Sequence, residues 1–332
     1  MELQNKCVLV TGGAGFIGSH LTEMLVARTS KVRVLVHYNS SDRLGWIDHL
    51  PADKRDALEI FKGDIRDPNG VREAMKGCQV VFHLAALIGI PYSYHSPDTY
   101  VDTNVKGTLN VLQAARHLGL ERVIHTSTSE VYGTAQFVPI TEEHPVSPQS
   151  PYAATKASAD FLALSFHRSF GTPVTVVRPF NTYGPRQSTR AIIPSIVTQL
   201  ISGHDRIRLG SLHPTRDLTF VNDTAMGFFL AAGCDQAIGE VVNLGTGNEI
   251  SVGDLARKIA GMLGREIHIE SDGDRIRPEK SEVERLCAGF HKMHDLSGWK
   301  AVTSLDDGLR QTIAWFSDPA HLALYHPGSY TI

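Results

Sequence analysis

A tyrosine and a lysine lie four residues apart in the segment Tyr152-Ala153-Ala154-Thr155-Lys156. In a helix, side chains at this spacing lie on the same face, one turn apart. A neighbouring ammonium group favours the phenolate form of a tyrosine, whose pKa is about 10 in water. The pair could therefore act as a base near neutral pH. The same spacing also occurs on ordinary amphipathic helices, so its interpretation depends on the residues around it.

Three polar residues, Thr128, Ser129 and Glu130, follow the fifth predicted strand of the chain. Tyr152 lies 24 residues beyond Thr128. Together with the glycine loop described next, this spacing favours a catalytic function for the Tyr152 and Lys156 pair. Glu130 could also be a solvated acid at a strand end.

The first predicted strand leads directly into three glycines, Gly12, Gly15 and Gly18. Glycine allows the backbone to turn tightly and to approach a pyrophosphate, whose charge then meets the N–H groups at the start of the next helix. We predict a dinucleotide site at this loop, with Phe16 and Ile17 beside it. The alternative is a glycine-rich turn that serves the packing of helix against strand alone.

The residues after the second predicted strand bear on the choice of dinucleotide. Such a strand normally ends in Asp or Glu, which binds the adenosine ribose of NAD. Here the following loop contains Asn39 and Arg43 instead, so the choice between NAD and NADP stays open, with NAD the preferred interpretation. Asp64 and Ile65, after the third predicted strand, are placed either to contact adenine or to form a turn.

The elements that must position these groups alternate along the first half of the chain. Runs rich in β-branched residues are separated by segments of helical periodicity, such as Asp98–Leu118 and Tyr152–Phe170. Several runs are apolar on both faces, which is typical of a parallel sheet covered by helices on both sides. The predicted strands are Lys6–Val10, Val32–Val36, Leu58–Phe61, Val80–Leu84, Arg122–Thr126 and Val174–Arg178.

After residue 180 the pattern breaks into shorter pieces punctuated by glycine and proline. We predict an α/β fold in which residues 1–180 form a Rossmann-type, doubly wound parallel sheet with its helices. Residues 181–332 are expected to form mainly a smaller α/β lobe that binds the substrate. The lobe would pack over the carboxyl ends of the strands, where open α/β sheets bind their ligands.

Composition excludes several classes of protein. The chain has 332 residues, and 35 acidic against 32 basic side chains give a net charge of −3, which argues against a nucleic-acid-coating protein. The sequence has no apolar run of the roughly 18 residues that a membrane helix needs, and no secretory signal, so a cytoplasmic protein is expected. Four dispersed cysteines suit that reducing compartment. No cluster has metal-ligand spacing, and His83 and His125 are predicted to be core residues.

Together these motifs resemble the extended short-chain dehydrogenase/reductase family, whose nucleotide-sugar branch contains NAD-dependent epimerases and dehydratases. The resemblance covers nearly the whole chain. It is strongest to the nucleotide-hexose 4,6-dehydratases, above all those acting on GDP-linked sugars such as GDP-mannose and GDP-N-acetylglucosamine. The peptides that carry it, besides the glycine loop and the Tyr and Lys pair, are His83-Leu84-Ala85-Ala86, Asn104, Thr128-Ser129-Glu130 and Arg178-Pro179-Phe180-Asn181. Those shared with the GDP-sugar enzymes include Tyr38-Asn39-Ser40, Pro214-Thr215-Arg216-Asp217 and Arg277-Pro278-Glu279-Lys280-Ser281-Glu282.

The resemblance implies a tightly bound NAD(P) that is recycled within each turnover. The cofactor contacts that it implies are Leu84, Ala85, Ala86, Tyr152 and Lys156. It also implies a nucleotide-diphosphate sugar as substrate, without nucleic-acid or membrane partners. The substrate contacts would be Asn181, Arg190, Arg216 and Arg277. A homodimer built on the two long helices is expected, with about residues 215–250 returning from the lobe to the first domain.

The same resemblance implies a reaction. Tyr152 would take the proton of the sugar 4-hydroxyl while hydride leaves C4, and Thr128 would bind the same oxygen. Glu130 would then remove the C5 proton, Ser129 or Glu130 would help the 6-hydroxyl leave, and hydride would return to C6 to give a 4-keto-6-deoxy sugar. UDP-glucuronate decarboxylases share the Thr-Ser-Glu sequence, so decarboxylation is the main alternative. A 4-epimerase needs no carboxylate here, and a non-catalytic NAD(P)-binding scaffold would usually lose the tyrosine or lysine.

Overall fold

The computed structural model describes residues 1–325. Seven strands form its main sheet, and every neighbouring pair of them is parallel. These strands are β1 Cys7–Thr11, β2 Lys31–His37, β3 Leu58–Gly63, β4 Val80–His83, β5 Arg122–Thr126, β6 Val174–Pro179 and, after three strands of the second lobe, β10 Val241–Leu244. Their order across the sheet is β10-β6-β5-β4-β1-β2-β3. The predicted parallel sheet is confirmed, and the six predicted strands lie within two residues of the observed ones.

Helices cover both faces of this sheet, as the doubly apolar strands require. The helices are α1 Phe16–Val26, α2 Ala52–Asp56, α3 Pro68–Met75, α4 Ile90–His95, α5 Pro97–Tyr100, α6 Gly107–Leu118, α7 Pro151–Phe170, α8 Ile192–Ile201, α9 Val221–Gly233, α10 Val252–Met262, α11 His291–Ser297, α12 Leu305–Ser317 and α13 Pro319–Leu322. One core joins α1, α9 and α11 to the sheet, and a second joins α3, α6 and α7 to its other face. The central strands β4 and β6 are fully buried between the two cores.

The long helix α7 has clear start and stop signals. The Ser150 hydroxyl accepts a 3.1 Å hydrogen bond from the N–H of Ala153, and Pro151 occupies the first helical turn. Gly171 ends the helix in the left-handed conformation, with φ of 68°. This helix matches the predicted segment Tyr152–Phe170 within one residue.

The other long helix, predicted over Asp98–Leu118, is divided. It consists of α5, a π-helical turn over Val101–Lys106, and α6. The wider turn contains Asn104, whose side chain accepts a hydrogen bond from the N–H of Leu87 and donates one to the carbonyl of Leu87. The predicted helical segment is therefore confirmed, since all three parts follow one another without a break. The tertiary bonds of Asn104 are met by a local change of helical type within it.

The second lobe contains the remaining sheets and a third core. Its strands are β7 Asn181–Tyr183, β8 Arg206–Leu209, β9 Thr215–Phe220, β11 Glu249–Ser251, β12 His268–Ser271 and β13 Arg285–Leu286. β9 pairs with β7, β11 and β13, while β8 pairs with β12. After β9 the chain passes through α9 and enters the main sheet as β10, so the two lobes are interleaved. Over residues 1–325, the helices include none with both the length and the apolar character of a membrane span. The last seven residues of the predicted lobe lie outside the described range.

Candidate active site

The glycine loop connects β1 to α1 in a conformation that side chains would block. Gly12 has φ of 71°, and a Cβ atom on it would lie 2.7 Å from the N atom of Ala85. A Cβ atom on Gly18 would lie 2.1 Å from the carbonyl oxygen of Gly12. No side chain caps the start of α1 at Gly15, so its first N–H groups remain available to an anion. The loop therefore fits the pyrophosphate of a dinucleotide.

The residues beside the glycine loop contact the rest of the protein through packed side chains and through backbone hydrogen bonds. Phe16 and Ile17 begin α1 and pack against the core of the second lobe. The segment after β4 lies against the end of β1, because the N–H of Leu84 donates to the carbonyl of Thr11 at 3.1 Å. The N–H of Ala85 donates to the Thr11 hydroxyl at 3.2 Å. Ala86 follows and is half-buried.

At the predicted adenosine end, the loop after β2 is held by its own side chains. The Asn39 side chain accepts a 3.1 Å hydrogen bond from the N–H of Arg43 and donates a 2.7 Å hydrogen bond to the carbonyl of Arg43. Asp64 pairs with Arg66, and their hydrogen bond lowers the pKa of the Asp64 carboxyl. The Ile65 side chain is buried in a core. In the protein alone, Asn39 and Asp64 thus organise loops, and the Arg43 side chain is exposed.

The five predicted catalytic residues meet where β5 ends against the start of α7. Tyr152 and Lys156 lie one turn apart on the buried face of α7. The Thr128 hydroxyl accepts a 3.2 Å hydrogen bond from the N–H of Glu130, and it lies close enough to Tyr152 to influence the pKa of that phenol. Ser129 and Glu130 lie in a buried 3₁₀ turn over Ser129–Tyr132. The structure therefore assembles a phenol, an ammonium, two hydroxyls and a carboxylate in one place.

Burial shifts the pKa values of both Tyr152 and Lys156. Burial raises the pKa of Tyr152, and the hydrogen bond from Thr128 opposes that rise in part. Burial also lowers the pKa of Lys156 to about 8. In the protein alone, loss of hydration therefore raises the pKa of Tyr152, and a lowering of that pKa by Lys156 stays a prediction.

Two predicted arginines, Arg216 on β9 and Arg277, reach the same region from the second lobe. A nitrogen of Arg277 lies 3.9 Å from the carboxylate of Glu130. The carboxylate of Glu282 lies 3.1 Å from Arg216 and 3.6 Å from Arg277. Sequence reasoning missed Glu282 as a site residue, although it ends the shared peptide that begins at Arg277. The sequence feature that could have indicated Glu282 is the presence of both basic and acidic residues in this one peptide.

The other two predicted substrate contacts lie at the edge of this region. The side-chain oxygen of Asn181, on β7, is buried without a hydrogen-bond partner among residues 1–325, so it can accept a bond from a ligand. Arg190 is exposed and carries its charge close to Tyr100. A Cβ atom on Gly89 would lie 3.2 Å from a nitrogen of Arg190, which places this arginine beside the segment before α4.

The two strand histidines are buried, as predicted. His83 contacts the hydroxyls of Thr11 at 2.8 Å and Thr108 at 3.0 Å. His125 lies 3.2 Å from the carboxylate of Asp160. Burial lowers the pKa of both imidazoles, so both are neutral near pH 7. No group of three or more His, Cys, Asp or Glu side chains suited to a metal ion is found over residues 1–325.

Comparisons with known proteins agree with this geometry. Residues 9–312 match the family model described as GDP-mannose 4,6 dehydratase. A dTDP-glucose 4,6-dehydratase from Actinoplanes sp. is 33% identical over 319 residues, covering 93% of this chain and 97% of that protein. A UDP-N-acetyl-alpha-D-glucosaminuronate decarboxylase from Bacillus cytotoxicus is 31% identical, with 95% and 99% covered. The UDP-glucose 4-epimerase of Thermus thermophilus, solved in complex with NAD, has a TM-score of 0.82 at 28% identity, with 94% and 99% covered.

The chain therefore belongs to the extended short-chain dehydrogenase/reductase family of NAD-dependent epimerases and dehydratases. The family is enzymatic, and its fold is the Rossmann-like arrangement described above. Relatives named for dehydration, decarboxylation and epimerisation have similar identity to this chain. The particular reaction has to be argued from the residues of the site.

Proposed function

We propose that the protein is a nucleotide-sugar 4,6-dehydratase. The observation that carries the proposal is the position of Thr128, whose hydroxyl is bonded to the backbone of the carboxylate residue Glu130 and lies near the buried phenol of the predicted base Tyr152. A dehydratase needs a base for the 4-hydroxyl and a second base for the C5 proton, and this site holds one candidate for each.

The glycine loop and the start of α1 would hold a nicotinamide dinucleotide, which when bound accepts a hydride from sugar C4 and returns it to C6. Tyr152 takes the 4-hydroxyl proton, and the cationic side chain of Lys156 stabilises the resulting phenolate. Thr128 orients the 4-oxygen. Glu130 removes the C5 proton, which is acidic because it lies next to the C4 ketone. Ser129, or Glu130 acting again, supplies the proton with which the 6-hydroxyl leaves as water. C5 takes up a proton when the hydride returns to C6, so that the net change is the loss of one water.

NAD is the cofactor that we favour, retained through turnover. The epimerase from Thermus thermophilus, a relative in the same family, was solved in complex with NAD. The end of β2 lacks the acidic residue that usually selects NAD, so cofactor identity should be measured directly. Chromatography of the nucleotide released from the purified, heat-denatured protein would distinguish NAD from NADP. Recovery of NADP would refute this choice.

The substrate that we propose is a nucleotide-diphosphate hexose, with a GDP-linked sugar favoured by the shared peptides. Arg216 and Arg277 offer planar guanidinium groups that match phosphate oxygens in pairs. Arg190 adds a third cation at the edge of the site, and the free oxygen of Asn181 can accept a hydrogen bond from the substrate. Glu282 already pairs with Arg216 and Arg277, so these side chains must rearrange or share their bonds when the substrate binds.

Decarboxylation of a nucleotide uronate is the second candidate, because Arg277 lies close enough to Glu130 to hold a sugar carboxylate at C5. A panel of nucleotide sugars and uronates, followed by mass spectrometry, separates the reactions. Loss of one water from a nucleotide hexose supports the dehydratase. Loss of carbon dioxide from a uronate supports the decarboxylase, and unchanged mass with inversion at C4 supports an epimerase. No turnover of any member of the panel would support a cofactor-binding scaffold.

We also propose that the enzyme is a homodimer through α6 and α7. Phe161 on α7 is 59% exposed, and burial of such a ring against a second copy would stabilise the pair. Light scattering on the eluted protein would give the mass in solution. A monomer at micromolar concentration would contradict this assembly.

A further inference from the structure

A third residue continues the face of α7 that carries Tyr152 and Lys156. Asp160 lies one further turn along the helix and is as fully buried as Lys156. An isolated carboxylate at such a site would be strongly destabilising, so a buried charge needs partners. Tyr152, Lys156 and Asp160 therefore form a buried row of three ionisable groups.

Asp160 is bonded to both strands that flank α7. Its carboxylate accepts a 2.7 Å hydrogen bond from the hydroxyl of Ser127, the residue directly after β5. It accepts a 3.0 Å hydrogen bond from the Nε atom of Arg178 on β6 and lies 3.2 Å from His125 on β5. Ser127 immediately precedes Thr128. The carboxylate thus ties α7 to the backbone that presents the predicted substrate-binding hydroxyl.

Asp160 also bears on the charge of Lys156. The ammonium nitrogen donates to the carbonyl of Thr126, which carries no formal charge. Burial lowers the pKa of Lys156 to about 8, and Asp160 opposes that shift. Burial would raise the pKa of Asp160, yet its contacts with His125, Arg178 and Ser127 lower it overall, so it is an anion at neutral pH.

Strands packed against Lys156 carry other ionisable groups close to it. Neutral His83 on β4 and neutral His125 on β5 add no charge near pH 7. Arg178 on β6 adds a cation that is paired with Asp160. Burial disfavours the charged form of a lysine, so a nearby anion is needed to keep Lys156 charged. The charge is what would stabilise a phenolate.

We infer that Asp160 is a positioning residue for the Tyr152 and Lys156 pair, holding the strand end before Thr128 in place and keeping the buried lysine cationic. The inference deepens the proposed function and rests on its use of Lys156. Asp160 touches neither substrate nor reacting atoms in this role. It acts through the charge of Lys156 and through the position of Thr128.

The test is a titration of Lys156 in the intact holoenzyme. Lysine carrying ¹³C at the ε position is followed by NMR against pH, and the Lys156 signal is assigned with Lys156→Arg. The wild-type midpoint is expected near 8. In Asp160→Asn the anion is lost while the Ser127 bond can persist, so the midpoint should fall by about one pH unit or more. Arg178→Gln removes the competing cation, so the midpoint should rise.

If Asp160 only held α7 and β5 together, these two variants would not shift the Lys156 midpoint in opposite directions. An unchanged midpoint in Asp160→Asn overturns the inference. If that variant does not fold, an unchanged or lower midpoint in Arg178→Gln overturns it instead. Ser127→Ala removes a hydrogen bond without a charge and should leave the midpoint near the wild-type value; a shift as large as that of Asp160→Asn would contradict the electrostatic role.

The activity profile gives a second readout once a substrate is known. The alkaline limb of kcat should move to lower pH in Asp160→Asn, by the same amount as the Lys156 midpoint, with KM little changed. An alkaline limb that stays in place would contradict the link between Asp160 and the reaction. The NMR titration needs no substrate, so it decides the role of Asp160 even if the panel of nucleotide sugars shows that the proposed function is wrong.

Discussion

The Nζ atom of Lys156 donates a 2.5 Å hydrogen bond to the carbonyl oxygen of Thr126. This bond joins α7, which carries Tyr152, to the end of β5, which leads into Thr128. The two halves of the predicted catalytic group are therefore held at a fixed separation before any ligand binds. Preorganisation of this kind avoids rearranging charged groups during the reaction.

Replacement of Tyr152 by phenylalanine tests the predicted first base. Tyr152→Phe keeps the ring and its packing but removes the hydroxyl that is the predicted base. We expect turnover of the nucleotide sugar to fall by about 10² to 10⁴-fold, the usual range for a positioned proton-transfer group. The measurement is product formation at saturating substrate, with thermal unfolding as the control for folding. Full activity in a folded variant would rule out this role.

Replacement of Glu130 by glutamine separates oxidation from elimination. Glu130→Gln retains the size and the backbone bond to Thr128 but cannot remove the C5 proton. We expect the bound nicotinamide to become reduced slowly on addition of substrate, seen in its near-ultraviolet absorbance, while loss of water stops. Glu143→Gln, at an exposed position in the neighbouring loop, is the matched control and should behave as wild type. Normal dehydration by Glu130→Gln would refute the assignment.

Replacement of Gly18 by alanine tests the cofactor loop. The new methyl group would lie 2.1 Å from the carbonyl oxygen of Gly12, so the loop must move away from the start of α1. We expect Gly18→Ala to be purified with most of its dinucleotide lost. Gly261→Ala, on α10, meets no atom within 4 Å and should be stabilised slightly, by about 0.5–1 kcal/mol. Equal cofactor content in both variants would contradict the role of the loop.

Local patterns were sufficient to predict the sheet, the glycine loop and the Tyr152 and Lys156 pair. Each depends on periodicity or on spacing within one or two elements, which a single sequence records directly. The start of α7 could also be predicted, because Ser150 and Pro151 are common residues at helix N-termini.

Long-range relationships could not be predicted in the same way. The contacts of Glu282 with Arg216, and of Asp160 with Arg178, join residues that are distant along the chain, and nothing in the local sequence specifies them. The pKa of Tyr152 depends on burial, which the spacing of Tyr152 and Lys156 does not reveal. Environment, more than residue type, sets these properties.

Replacement of His20 tests a pH effect on stability away from the catalytic group. His20, on α1, lies 3.0 Å from the carbonyl oxygen of Pro185, and burial followed by the charge of Arg186 lowers its pKa to about 4. Between pH about 6.5 and 4 the unfolded chain binds a proton at this imidazole and the folded chain does not, so acidification destabilises the fold. Below pH about 4 both states are protonated and the effect levels off.

Between pH 7 and 5, this difference amounts to about 2 kcal/mol of unfolding free energy. His20→Gln can still donate to Pro185 but does not titrate, so its stability should fall by about that much less over the same interval. Urea unfolding at both pH values measures the two slopes. His268→Gln, at an exposed position on β12, should keep the wild-type dependence. If His20→Gln loses as much stability on acidification as the wild type, the imidazole of His20 is not the group responsible.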